Sequence, residues 1–181
     1  MEEIKILFFV VGTFFGVHQS NILSEKTTVT VNPQEKTIVI RQENLVTFIK
    51  TESDSLNIQN ELSKFVHPNQ SWSSELKNFS VKEKEFYKSD DHKSLHLKLS
   101  LTYSTLKDLK VFGIDMNNDG KFSMTNFPKS HTKSTDGILE EPYWNFEADQ
   151  PFTFTAEPLT DLPEAFQKLK TKVLPFWFAL K

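Results

Sequence analysis

The residues best suited to chemistry lie between 115 and 123. There Asp115, Asn117 and Asp119 put an oxygen-bearing side chain at every second position, and Ser123 adds a hydroxyl four residues later. A hard cation such as calcium takes roughly six to eight oxygens at about 2.4 Å, and a chain that turns sharply at a glycine can wrap such groups around one point. Gly120 supplies the turn, and Lys121 would lend only its backbone carbonyl. The same residues fit a second use. Asn118-Asp119-Gly120 provides the positive φ angles that a tight turn demands, with Lys110 to Asp115 and Lys121 to Phe127 as the arms of a β-hairpin.

Over its first nine positions the segment 115–126 resembles the EF-hand calcium loop, with apolar Phe122 at position eight and the Ser123 hydroxyl at nine. The resemblance implies an entering helix over Thr105 to Phe112 and a weak calcium site formed by Asp115, Asn117, Asp119, Lys121 and Ser123. The segment departs from the family at position twelve, where Asn126 stands in place of a bidentate acid, and Pro128 opposes an exiting helix.

Other candidates are sparser. His92 and His96 follow Asp90-Asp91, but on a strand they would stand about 13 Å apart, too far for one zinc ion, so they read as surface histidines beside a turn. The chain has no cysteine and only 5 glycines, with no nucleophile elbow, phosphate-binding loop or dinucleotide fingerprint. No cysteine-based nucleophile, thiolate metal site or disulfide is available. Acids and histidines dispersed in sequence and converging in space would still make a hydrolase. Aromatic residues crowd positions 143–178, and the excess of Phe over Tyr and Trp favours core packing. Trp144, Trp177 and Phe178 are the candidates for an interaction surface, with 174–180 as an exposed apolar segment or a docked plug.

These residues must be positioned by strands and a few helices. Leu95, Leu97, Leu99, Leu101 and Tyr103 alternate with polar residues and predict a strand with one wet face. Thr27 to Val31 and Thr37 to Arg41 predict a hairpin across Asn32-Pro33, while Tyr143 to Glu147 and Phe152 to Ala156 predict another. Helical spacing predicts helices over Ser53 to Val66, over Trp72 to Phe79, and after Asp161, where Phe166, Leu169 and Val173 share a face and Pro175 stops the element. Residues 128–137 read as an exposed polar loop. The expected class is α+β, a single domain with an antiparallel sheet of five to seven strands and two or three packed helices.

Composition narrows the function. With 21 Lys+Arg against 24 Asp+Glu, a net charge of -3, and Arg41 as the one arginine, the chain has no cationic field for nucleic acid. Residues 6–17 form an uncharged apolar run, the length of a signal-peptide hydrophobic region and too short to span a bilayer. Residues 1–20 are therefore expected to be a signal peptide, and 21–181 a cysteine-free mature domain without a transmembrane span. The expected location is the periplasm, cell surface or medium of a bacterium. The expected function is a non-enzymatic binding or envelope-associated module for an unknown ligand or envelope protein, requiring no cofactor, with calcium as the one candidate ion. An exported hydrolase and a structural part of an envelope assembly are the alternatives.

Overall fold

Period-two alternation organises the larger of two antiparallel sheets. In a computed structural model describing residues 4–67 and 71–181, β1 (Leu23–Asn32) and β2 (Thr37–Phe48) form the expected hairpin, longer at both ends. Asn32 accepts the backbone N–H groups of Gln34 and Glu35 and so shapes the connection. β3 (Val81–Lys88), β4 (Leu95–Thr102) and β9 (Phe152–Ala156) complete the order β3-β4-β2-β1-β9. Thr27, Val29, Val31, Ile38, Ile40, Leu97, Leu99, Leu101 and Phe154 line its buried face.

A register switch divides β2. Its first part pairs with β4 through residues 37–42, and its last part pairs with the short β10 (Lys170–Lys172) through 46–48. Asn44 stands between them with φ 55°, and its N–H donates to Nδ1 of His96 at 2.9 Å. The imidazole thus replaces the ladder acceptor that neither strand supplies at this point.

The smaller sheet has the order β5-β6-β8-β7, from β5 (Ile114–Met116), β6 (Phe122–Thr125), β7 (Gly137–Glu140) and β8 (Tyr143–Phe146). Phe146 stacks on Phe152 at 4.2 Å and joins the two sheets. Gly137 makes this possible, because a Cβ there would lie 2.5 Å from the Phe146 ring.

α1 (Glu52–Val66) starts at a capping box in which Asp54 accepts the N–H of Thr51, and buries Ile58, Leu62 and Phe65. At its other end Lys84 donates to the carbonyls of Phe65 and His67, at 2.5 and 2.8 Å. Burial lowers the Lys84 ammonium to about 8.

The class is α+β with antiparallel sheets, as the alternation implied, but among the described residues ten strands in two sheets replace one sheet of five to seven. The extra strands are mostly three or four residues long, too short for a clear period. Two expected helices are tighter: 74–76 within the Trp72 to Phe79 segment, and Leu106–Phe112, are 3-10 turns. The predicted last helix is broken into α2 (Glu164–Gln167), β10 and α3 (Leu174–Phe178). Pro175 does not stop a helix; it sits in the first turn of α3, where a missing N–H costs nothing. The polar loop 128–137 partly pairs with β9 through a bridge between Lys133 and Thr155. Among the described residues no helix is long and apolar enough to cross a membrane.

Residues 6–17, expected as the apolar part of a leader, lie inside the fold; residues 1–3 of that leader are outside the described residues. Ile6, Val11 and Phe14 are fully buried, and Phe8 and Phe15 nearly so. Phe8 stacks on Phe112 at 5.1 Å, Phe15 stacks on Phe65 at 5.1 Å, and Gln42 donates to the Phe8 carbonyl at 2.7 Å. Buried Glu61 accepts from the Ser20 hydroxyl and from the Asn21 N–H, fixing the point where the segment leaves the core.

Candidate functional site

The pleat of the small sheet sorts its residues into two sets. Ile114, Met124 and Trp144 face inward, as do Phe122 and Phe146. The opposite face presents Asp115, Ser123 and Asn145 in one cross-strand row, and Thr125, Tyr143 and Glu140 in the next. With Lys110, Asn117 and Met116 these residues line an open concavity of about 610 Å3.

A polar network runs across that surface. Asn117 Nδ2 donates to Asn145 Oδ1 at 3.3 Å, and Asn145 Nδ2 donates to Glu140 at 2.7 Å. Lys110 donates to Asp115 at 2.8 Å and holds that carboxyl below the usual carboxylate range. Lys121 pairs with Glu147 at 2.7 Å, which raises the lysine. Tyr143, 44% exposed, adds an aromatic ring and a hydroxyl at the rim. A surface of this kind suits a ligand held by several oriented hydrogen bonds and one ring contact.

The oxygen-rich segment 115–125 folds as a β-hairpin, the second of the two arrangements its residues allowed. Asn117 Oδ1 accepts the N–H groups of Asp119 and Lys121, both at 3.0 Å, and Gly120 takes φ 74°. Strands flank the turn, so the helix–loop–helix of the EF-hand resemblance is not formed. Of the five expected ligands, Asp115, Asn117 and Ser123 line the concavity, while Asp119 and Lys121 do not. Asn126 instead accepts from the Trp144 indole at 3.2 Å and donates to Glu141 at 3.0 Å. Among the described residues, no three His, Asp or Glu side chains form a group that could hold a metal ion.

The aromatic candidates separate. Trp144 is 8% exposed and belongs to the inner face, which corrects its expected place on a surface; the neighbours Tyr143 and Asn145 face out instead. Val173 and Leu174 anchor the C-terminal segment in the core, Trp177 is half-buried under the Lys181 ammonium at 3.7 Å, and Phe178 is exposed. Thr125, Glu140, Tyr143 and Asn145 were missed. Strict alternation in Tyr143-Trp144-Asn145-Phe146 was the signal that could have found two of them, Tyr143 and Asn145, once one inward residue was known.

A second polar cleft, also about 610 Å3, is lined by Glu25, Glu43, Asp90, Asp91, Lys172 and His96 among others. His96 is buried, its ring lies 5.2 Å from Tyr87, and burial lowers its pKa against the attraction of Glu43, Asp90 and Asp91. Because Nδ1 accepts from Asn44, the neutral ring carries its proton on Nε2. His92 occupies the turn before β4 with φ 58°, so the strand spacing assumed for the pair does not apply, and burial of His96 corrects its expected place as a surface histidine. His131 pairs with Asp161 at 2.7 Å on the surface, outside both clefts. No protein-family model, curated protein or solved structure matches this chain.

Proposed function

We propose that this chain is a non-enzymatic binding module whose recognition surface is the outward face of the four-stranded sheet. The observation that supports this is the pleat-ordered set of Asp115, Ser123, Thr125, Glu140, Tyr143 and Asn145 around one concavity. The side chains are of the hydrogen-bonding types, several are already oriented by neighbours, and a half-exposed tyrosine stands among them. Rigid strands hold them, so little ordering is needed when a ligand docks. Calcium has no part in this reading, since the best of its expected ligands are engaged by Lys110 and by backbone N–H groups.

Export was expected from residues 6–17, and the same residues form part of the core. We propose that they stay with the working protein. An exported form of this fold would carry them with it.

The test is a selection from random peptide-display and oligosaccharide libraries on the wild-type chain, followed by affinity measurement on the double variant Tyr143→Ala/Asn145→Ala. Loss of one ring contact and one or two hydrogen bonds is worth about 2 kcal/mol, or roughly a thirtyfold weaker Kd. Selected ligands that bind both proteins alike would place recognition elsewhere. The His96 cleft favours a second reading, acid–base chemistry using Nε2 and the carboxylates around it; ligands lost on substitution of Glu43 or Asp90 would move the site there.

A further inference from the structure

The edges of the two sheets are treated unequally, and the difference points to a partner. The outer edge of β9 is covered by the chain between 130 and 136: Thr155 and Lys133 exchange backbone hydrogen bonds at 2.8 and 2.9 Å, and the Thr153 N–H donates to Asp136 at 2.8 Å. β3 carries Lys82, Glu83, Lys84, Glu85 and Lys88, both signs of charge along its length. β5 and β10 are three residues each, with Asp115 central in one and Lys170 and Lys172 at the ends of the other. Short length, charge and cover are the usual devices that keep a strand edge from pairing with another chain.

β7 has less of this protection. It ends the order β5-β6-β8-β7, and its central residues are Ile138, 62% exposed, and Leu139, 40% exposed. They point to opposite faces, so an added strand would meet an apolar side chain on each. Along the sequence around this edge the charge has one sign, although Lys121 from the neighbouring hairpin lies within electrostatic reach of Glu140. Between Ser134 and Gln167 the sequence has 8 acids and no lysine or arginine. Three of them lie at the ends of β7, Asp136 before it, Glu140 as its last residue and Glu141 after it: Asp136 accepts from the Thr153 N–H, Glu140 from Asn145, and Glu141 from Asn126. These hydrogen-bond donors are neutral, so none of the three contacts is an ion pair.

We propose that β7 is a docking edge for an extended basic segment of another protein, which joins the small sheet as a fifth strand. Backbone hydrogen bonds to β7 supply the pairing, lysine or arginine side chains lie over Glu140 and Glu141, and apolar side chains pack beside Ile138 and Leu139. Ile138 and Glu140 share the outward face with Tyr143 and Asn145, so the segment lies along the rim of the concavity. The proposal rests on the reading of that face as the recognition surface and names its occupant.

The probe is a labelled twelve-residue peptide of alternating lysine and valine, measured by fluorescence anisotropy at physiological salt. A Lys–Pro repeat of equal length and charge is the control, because proline cannot complete a strand ladder. The Lys–Val peptide should bind at least tenfold more tightly than the control. Ile138→Asn, neutral and at an exposed position, should weaken it at least fivefold, and Glu140→Gln should weaken it further at low salt; melting curves confirm that both variants fold. Equal affinity for the two peptides, absence of Lys–Val binding, or indifference to Ile138→Asn would each overturn the proposal. If the Lys–Val peptide fails while library-selected ligands still depend on Tyr143 and Asn145, the docking edge falls and the recognition face stands. If those ligands ignore Tyr143 and Asn145, the recognition face itself falls.

Discussion

Starting the chain at Asn21 should abolish folding. The segment before it contributes Ile6, Phe8, Val11, Phe14 and Phe15 to the core, in contact with α1, the larger sheet and the 3-10 turn at 106–112. Burying a side chain of this size is worth about 2 kcal/mol, so these five together contribute about 10 kcal/mol as an upper figure. The net stability of an ordinary domain is only about 5–15 kcal/mol. A chain of residues 21–181 would also expose the partners of the missing side chains, among them Phe65, Phe112 and Phe154. The assay is urea unfolding followed by circular dichroism, with Phe14→Ala in the full chain as the graded version. Phe14 is fully buried, and its truncation should cost about 3–5 kcal/mol. A 21–181 chain that unfolds cooperatively at the same urea midpoint as the full chain would refute the reasoning, and would mark residues 1–20 as dispensable in the manner of a leader.

Three further perturbations report on local structure. His96 has a depressed pKa in the folded state, so the unfolded chain takes up its proton first; the stability it provides is present above its ordinary 6.5 and is lost as pH falls through the lower folded value. His96→Asn, which can place an amide oxygen near the Asn44 N–H without titrating, should flatten that part of the acid limb in urea midpoints measured from pH 7.5 to 5; an unchanged limb would remove the imidazole from the account. Gly120→Ala should destabilise the hairpin by about 1–2 kcal/mol, since φ 74° is costly for a residue with a Cβ, while calcium at about 1 mM should leave Tm where it is, because a loop with a millimolar site would respond by mass action.

How far the sequence reached depended on whether pattern was local. β4 could be read directly, because five alternating apolar residues admit one face inward, and α1 followed from its helical spacing behind a capping start. The hairpin at 115–125 was legible as one of two options, and the choice between them lay in Lys110 and the flanking strands. Residues 6–17 carried no alternation, and a uniformly apolar run suits a leader and a deeply buried segment equally well. β7 escaped notice because Gly-Ile-Leu-Glu has no period of its own and becomes a strand only when Tyr143 to Phe146 pair with it. The role of His96 depends on Asn44, a residue 52 positions away that no spacing rule could connect to it. On the outward face of the small sheet the strand was foreseen but its parity was not applied, so Trp144 was chosen where Tyr143 and Asn145 point outward.

We propose that ligands are recognised on the outward face of the small sheet. The most direct test is the ratio of Kd for library-selected ligands between the wild-type chain and Tyr143→Ala/Asn145→Ala. Binding by the variant should be about thirtyfold weaker at unchanged Tm. A ratio of one, with the variant folded, would contradict it.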